Sequence, residues 1–204
     1  MLSSNAHPGL DQYVRLHGAD WDDYERLITL RAERADPRLT YLDGELELMT
    51  PSIEHEGDKK RLGRLIETYA DEIGIELEGF GSWTLKSPDK RLGAEADECY
   101  VVGPLTQPLN VPDFVIEVVR TSGGLDKLAV YAGLGVPEVW IWRDGRLSIH
   151  QLNDTGYQEQ GRSRFLPGLD PRLIETCMTE PSQTQALRTL RAGLDHTTKR
   201  DASH

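Results

Sequence analysis

The spacing of apolar residues along the chain predicts a series of amphipathic helices separated by strands. Asp20, with Asp23 as its acidic partner, has the form of a capping box and predicts a short helix. A longer helix is predicted behind Ser52, where apolar residues recur at helical spacing until Gly74. Further helices are predicted in the run LDKLAVYAGLG and over residues 183–194.

Two Asp-Gly pairs predict β-hairpins, because this dipeptide suits the two-residue turns that join antiparallel strands. Pairing across Asp43-Gly44 separates apolar residues from glutamates. The apolar face carries Leu39, Tyr41, Leu46 and Leu48, and the opposite face carries Glu45 and Glu47. Pairing across Asp144-Gly145 sets two tryptophans opposite aliphatic residues. These pairs are Trp140 with Ile149 and Trp142 with Leu147.

Other apolar runs predict strands over residues 75–85, 94–102, 111–119 and 136–142. This order of helices, hairpins and strands is typical of the α/β class, so we expect a mixed sheet flanked by helices. The length of 204 residues fits one domain, which we place at residues 20–194. We expect residues 1–19 to be loosely ordered and residues 195–204 to form a polar C-terminal tail.

Composition bears on the cellular setting and on the partners. The chain has 23 basic and 34 acidic residues, a net charge of −11, which argues against a broad surface that coats nucleic acid. Its cysteines, Cys99 and Cys177, form no disulfide or metal-binding pattern. The sequence shows neither a signal-peptide pattern nor an apolar run that could span a membrane, so a cytoplasmic protein is expected.

Glu117 is an acidic residue within an otherwise apolar strand. Because side chains alternate along a strand, Glu117 shares one face with Asp113 and Val115. A buried carboxylate is costly unless it is paired or holds a metal ion. Asp97 lies in the preceding predicted strand, so the two acids can converge on one divalent cation. Carboxylate oxygens select Mg²⁺ or Mn²⁺ over Zn²⁺.

Lys127 lies on the predicted helix that follows this strand and can reach back over the strand end. A lysine beside a metal-bound water can orient that water and neutralise charge that develops on a phosphate. Two carboxylates, a metal ion and a lysine suffice for metal-assisted hydrolysis of a phosphodiester. The sequence therefore indicates a nuclease centre built from Asp97, Glu117 and Lys127.

The order of these residues resembles the Uma2 family of restriction-endonuclease-like proteins, which have a DUF820-type domain. The resemblance runs from about Tyr41 to about Gly168, and its carriers are GELELMTPSIEH and VPDFVIEVVRTSGGLDKLAVYAGLGVPEVWIW. Its most specific part is Glu117, then Lys127 on the next helix, and then a further set of residues. That set is Tyr131, Gly135, Val136, Glu138 and Trp140. Because the family belongs to the PD-(D/E)XK nuclease superfamily, the resemblance implies a restriction-endonuclease-like core.

The resemblance also implies roles for individual residues. Asp97 matches the superfamily's metal-binding aspartate, Glu117 matches its second acid and Lys127 matches its catalytic lysine. His55 matches a recurrent histidine at the start of the long helix, and Glu45 matches the acid after the hairpin glycine. This chain departs from the family where alanine, not the usual proline, precedes the aspartate. The segment VVRTSGG also replaces a longer turn, which bears on the placement of the lysine.

Each candidate also has a purely structural interpretation. Glu117 can pair with Arg120 or Lys127 at a sheet edge, and Lys127 can be an ordinary solvated helix residue. Asp97 can simply end a strand, and His55 can bond to a backbone carbonyl.

Basic residues on the long helix are the best candidates for contacts with a nucleic-acid backbone. With one arginine after the acidic strand, the predicted nucleic-acid-binding residues are Lys59, Lys60, Arg64 and Arg120. Charged helix surfaces are also common in proteins that bind no nucleic acid.

The leading functional hypothesis is an endonuclease that depends on Mg²⁺ or Mn²⁺, with DNA as the substrate implied by the resemblance alone. The alternative is a catalytically inactive nucleic-acid-binding or assembly protein that retains the fold, which the acidic net charge favours. A third reading is a metal-dependent hydrolase of small phosphate esters. Because two-fold symmetry matches two antiparallel strands, a homodimer is expected.

Overall fold

Strands and helices alternate along the chain in the computed structural model, which describes residues 9–105, 109–120 and 124–201, with side chains through Leu194. The strands are β1 (Gln12–His17), β2 (Arg38–Leu42), β3 (Glu45–Thr50), β4 (Leu77–Gly79), β5 (Thr84–Ser87), β6 (Leu92–Glu95), β7 (Glu98–Val102), β8 (Phe114–Val119), β9 (Glu138–Arg143), β10 (Arg146–Asn153) and β11 (Gly156–Gln160). The helices are α1 (Trp21–Arg31), α2 (Ile53–Ile73), α3 (Lys127–Leu134), α4 (Pro171–Met178) and α5 (Gln183–Asp201). The α/β class expected from the sequence is confirmed.

The first sheet has five strands in the order β1-β3-β2-β6-β5. Its central hairpin pairs Leu39 with Leu48 and Tyr41 with Leu46, as the Asp43-Gly44 turn predicts. Strand β1 pairs antiparallel with β3 along the edge of this sheet. The expectation that residues 1–19 are loosely ordered is therefore wrong for residues 12–17, and residues 1–8 lie outside the described ranges.

The second sheet has six strands in the order β11-β10-β9-β8-β7-β4. Strands β8 and β9 are parallel, and α3 makes the connection between them. The β9–β10 hairpin pairs Trp140 with Ile149 and Trp142 with Leu147, which confirms the predicted register. Two sheets thus stand where the sequence predicts one mixed sheet.

The predicted strand over residues 94–102 is divided between the two sheets. Strand β6 pairs with β5 in the first sheet, and β7 pairs with β8 in the second. Ala96 and Asp97 form the crossing between them, and both are fully buried. The predicted strand over residues 75–85 is divided in the same way, into β4 and β5. The pattern of residues that predicts a strand does not indicate which neighbour that strand pairs with.

The helix ends follow their capping residues. Asp20 and Asp23 form the predicted capping box of α1, and Ser52 Oγ accepts from the His55 N–H at the start of α2. Gly74 ends α2 in the left-handed conformation, as predicted. Helix α5 continues to Asp201, beyond the predicted end at residue 194. Strand β11 and helix α4 are additions to the predicted elements.

The cores are arranged by sheet face. One core lies between the second sheet and helices α2, α4 and α5, and includes Phe114, Ile116 and Trp140. Another lies between the two sheets and α3, and includes Val115 and Tyr131. The alternation predicted for β8 is confirmed, because its successive side chains enter these different cores.

Among the helices in the described parts of the chain, none has both the length and the apolar character that a membrane span requires.

Candidate active site

Glu117 lies on β8 with its carboxylate directed to the side of the sheet that α3 covers. It is 3% exposed, and both of its oxygens accept hydrogen bonds. Lys127 Nζ donates to Oε2 over 2.6 Å, and the Tyr131 hydroxyl donates to Oε1. The acid predicted from the apolar strand and the lysine predicted on the next helix therefore meet in the structure.

Helix α3 places Lys127 and Tyr131 over the same carboxylate because residues four apart lie on one face of a helix. Asp126 caps the helix by accepting from the Ala129 N–H, so Lys127 occupies its first turn. Burial and the neighbouring charge of Glu117 raise the pKa of Tyr131 well above its ordinary value. The Tyr131 hydroxyl therefore stays protonated and acts as a fixed donor to Glu117.

Asp97, at the crossing between the sheets, lies beside the backbone of β8. Its Oδ2 accepts from the Val118 N–H over 2.7 Å, one peptide group beyond Glu117. Its Oδ1 contacts the Arg38 guanidinium and lies 3.0 Å from His55 Nε2. Asp97 is fully buried, so its charge is balanced by Arg38 within the protein.

His55 is held in the first turn of α2 between two carboxylates. Its Nδ1 lies 3.0 Å from Asp11 Oδ2, while its Nε2 faces Asp97. Burial alone would raise the pKa of Asp11, but hydrogen bonds from His55 and from the Ser52 N–H hold that pKa below its ordinary value. Contacts through both ring nitrogens fix the orientation of His55 behind Asp97.

A cleft of about 690 Å³ opens next to the Glu117–Lys127 pair. Its lining includes Tyr13 and Glu47 from the first sheet, with Arg143 and Arg146 from the β9–β10 hairpin. Glu47 is 2% exposed and accepts from Arg15 Nη2 over 3.1 Å. It also accepts from the Leu125 N–H over 2.8 Å, and this bond attaches the segment that leads into α3 to the first sheet.

The structure separates the two glutamates of the first hairpin. Glu45, which the resemblance implies as a site residue, pairs at the surface with His17 and with Arg15. Glu47 instead lines the cleft with Glu117. The alternation of the hairpin put both on one face, and Arg15 of β1 contacts both, but the Leu125 N–H donates to Glu47.

Several contacts of the site had no sequence signal. Asp11 and Tyr13 precede the resemblance in the sequence, and Arg38 carries no motif of its own. Each depends on how strands distant in sequence pair, which periodicity does not reveal.

The predicted nucleic-acid-binding residues are not among those that line the cleft, although Arg120 directly follows the lining residue Val119. Arg64 donates to Gln183 Oε1, and Lys59 lies 3.5 Å from Glu56. Arg120 pairs with Asp58 over 2.6 Å and donates to the Gly9 carbonyl. Lys60 is exposed on α2.

The carboxylates of Asp97 and Glu117 have the donor chemistry of a site for a hard divalent cation. In this arrangement each is already neutralised by a cationic side chain, Arg38 or Lys127. Within the described ranges, no group of three or more His, Cys, Asp or Glu side chains is placed to hold a metal ion. A divalent cation would therefore share oxygens with these cationic side chains or displace them.

The chain was compared with protein families, with curated proteins and with solved structures. The sequence model of the Uma2 family, described as "Putative restriction endonuclease", matches residues 21–178. Among solved structures, the chain is similar to "a putative nuclease belonging to DUF820" from Anabaena variabilis ATCC 29413. The two share 13% identity and a TM-score of 0.49, over 83% of this chain and 98% of that chain. The search of curated proteins found no match. Because the family match spans most of the chain and includes Asp97, Glu117 and Lys127, this chain belongs to the Uma2 family.

Proposed function

We propose that this chain is a divalent-metal-dependent endonuclease that hydrolyses phosphodiester bonds in DNA. The observation that carries the proposal is the contact between Lys127 Nζ and Glu117 Oε2, 2.6 Å long, beside a cleft of about 690 Å³. A buried acid paired with a lysine at a cleft is a typical site of catalytic chemistry. Membership of a family described as "Putative restriction endonuclease" supports the same reaction class.

In this proposal Asp97 and Glu117 would hold Mg²⁺ or Mn²⁺, and the cation would share their oxygens with Arg38 and Lys127 or displace these side chains. The cation, when bound, polarises the phosphate and lowers the pKa of a coordinated water. Tyr131 fixes the orientation of the Glu117 carboxylate, and His55 fixes that of Asp97 from behind. Lys127, beside Glu117, orients the attacking water and neutralises charge on the phosphate oxygens.

The reaction is a substitution at phosphorus. The water oxygen forms a new bond to phosphorus, and one ester P–O bond breaks. One proton of the water leaves for solvent, and the departing alkoxide takes up a proton. The products are a phosphate monoester on one strand end and a hydroxyl group on the other.

The cleft also supplies positive groups for the substrate backbone. Arg143 is exposed at the cleft and makes no ion pair with another described residue, while Arg146 pairs with Glu159. More distant phosphates would contact the basic residues that the sequence predicts to bind a nucleic-acid backbone, which are Lys59, Lys60, Arg64 and Arg120. A homodimer would present two such clefts to the two strands of a duplex.

The test is cleavage of supercoiled plasmid and of single-stranded DNA by purified protein with Mg²⁺, with Mn²⁺ and with EDTA. Wild type is expected to cleave only with a divalent cation. Lys127→Ala is expected to lower the rate by at least about 100-fold, as the loss of a catalytic electrostatic contact does. The matched control is Lys86→Ala. It removes an exposed lysine that pairs with Glu25 and does not line the cleft.

The second candidate function, a binding or assembly protein without catalysis, is favoured by one observation. Both carboxylates of the site are already neutralised by Arg38 and Lys127, so the site is electrostatically complete without a metal ion. A folded wild type that retains DNA or protein binding but cleaves neither substrate with either cation would establish this function and overturn the nuclease proposal.

A further inference from the structure

The strand β1 lies outside the family match, which begins at residue 21, yet it contributes to the same cleft. It pairs with β3 so that Tyr13 lies opposite Met49, and both residues line the cleft. Tyr13 therefore extends the first sheet's wall of the cleft toward β8 and α3. Tyr13, which the family match does not cover, thus lines the same cleft as the proposed catalytic pair.

The ring of Tyr13 borders the segment that leads into α3. Its ring lies near Gly124, at which an added Cβ atom would be 3.7 Å from Tyr13 Cε1 and 3.5 Å from Glu47 Oε1. Tyr13 is half-buried, and its hydroxyl makes no hydrogen bond to another residue in the described ranges. Because the Tyr13 hydroxyl has no hydrogen-bond partner among the described residues, it can donate to a ligand that enters the cleft.

The electrostatics of the cleft keep this hydroxyl protonated. Burial raises the pKa of Tyr13, and the nearby negative charges of Asp11, Glu47 and Glu117 raise it further. At neutral pH the group is therefore a hydrogen-bond donor and not a general base. A donor in this position can stabilise an anionic oxygen, such as a non-bridging oxygen of a phosphodiester.

We propose that Tyr13 is a substrate-contacting residue whose hydroxyl donates a hydrogen bond to a non-bridging oxygen of the phosphodiester at the Glu117–Lys127 centre. This inference rests on the proposed nuclease function and names a residue of its substrate site. Negative charge on the non-bridging oxygens increases as the water oxygen approaches phosphorus. The hydrogen bond to such an oxygen is therefore stronger in the transition state than in the ground state. The contribution therefore falls on kcat more than on KM.

The experiment compares wild type with Tyr13→Phe in steady-state cleavage of a fluorescently labelled single-stranded DNA oligonucleotide with Mn²⁺. Phenylalanine keeps the ring that packs by Gly124 and removes only the hydroxyl oxygen. Loss of a hydrogen bond to a charged group is expected to lower kcat by about 10-fold to 100-fold, with KM changed by less than about 2-fold. The melting temperature should remain that of wild type.

The matched control is Tyr41→Phe, which removes a hydroxyl in the same sheet that donates to the Ala19 carbonyl outside the cleft. Its kcat should equal that of wild type. A wild-type kcat in Tyr13→Phe would overturn the role of Tyr13 while leaving the nuclease proposal intact. An equal fall of kcat in both variants, or a rise in KM alone, would also overturn it. Absence of cleavage by wild type would instead refute the proposed function on which the inference rests.

Discussion

Glu117 lies at the point where a strand, a helix and a cleft meet. The sequence left Arg120 or Lys127 as the pairing partner of Glu117, and the structure pairs Glu117 with Lys127. The partners of Asp97 were not predictable in the same way. Arg38 and His55 reach Asp97 only because the chain crosses from one sheet to the other at Ala96 and Asp97.

Glu47 supports a further prediction at the scale of single residues. Glu47→Ala removes the acceptor for the Leu125 N–H, two residues before Lys127, and so frees the segment that positions the lysine. Displacement of a catalytic group by about 1 Å can cost about 100-fold in rate. We expect the DNA cleavage rate of Glu47→Ala to fall about 10-fold to 100-fold.

Glu47→Gln separates geometry from charge, because an amide oxygen can still accept from the Leu125 N–H. It should retain more of the rate than Glu47→Ala does. Glu78→Ala, a change of an exposed glutamate on β4, serves as the control. A Glu47→Ala protein that cleaves as fast as this control would show that the Leu125 contact does not position Lys127.

Helices and hairpins with strong end signals were predictable at the scale of elements. The Asp-Gly turns predicted both hairpin registers, and the capping residues Asp20 and Ser52 predicted where two helices begin. Strand β1 was missed because it lies at a sheet edge, where Val14 and Leu16 are exposed and Tyr13 is only half-buried, so no buried apolar face marks it as a strand. The division of residues 94–102 was missed because a pattern that predicts a strand does not indicate which strand it pairs with.

The crossing of α1 over β6 gives a prediction for the stability of the first sheet. At Gly93 an added Cβ atom would lie 2.4 Å from the buried Tyr24 hydroxyl oxygen. Gly93→Ala should therefore overpack this contact and lower the free energy of unfolding by about 1–3 kcal/mol. Urea unfolding followed by circular dichroism measures the change.

Gly161→Ala is the matched control, because a Cβ atom there meets nothing within 4 Å. Its free energy of unfolding should stay within about 0.5 kcal/mol of that of wild type. Equal midpoints for the two alanine variants would mean that α1 and β6 do not pack as closely as the structure indicates.

The two sheets, the helix between them and the acidic surface act together at the scale of the whole molecule. The first sheet supplies Tyr13 and Glu47, and the second supplies Glu117 and Arg143, so the cleft exists only where both sheets meet. A net charge of −11 repels a polyanion at long range. Bound divalent cations would offset this repulsion where the substrate phosphate meets the carboxylates.

The most direct measurement is the affinity of the protein for Mn²⁺, determined by electron paramagnetic resonance of the free ion in a titration. Wild type is expected to bind, and Glu117→Gln, which removes the charge and keeps the shape of the side chain, should weaken binding by at least about 10-fold. Glu78→Gln should bind as wild type does. Wild-type affinity in Glu117→Gln, or no binding by wild type, would contradict a metal-dependent nuclease centre at Glu117.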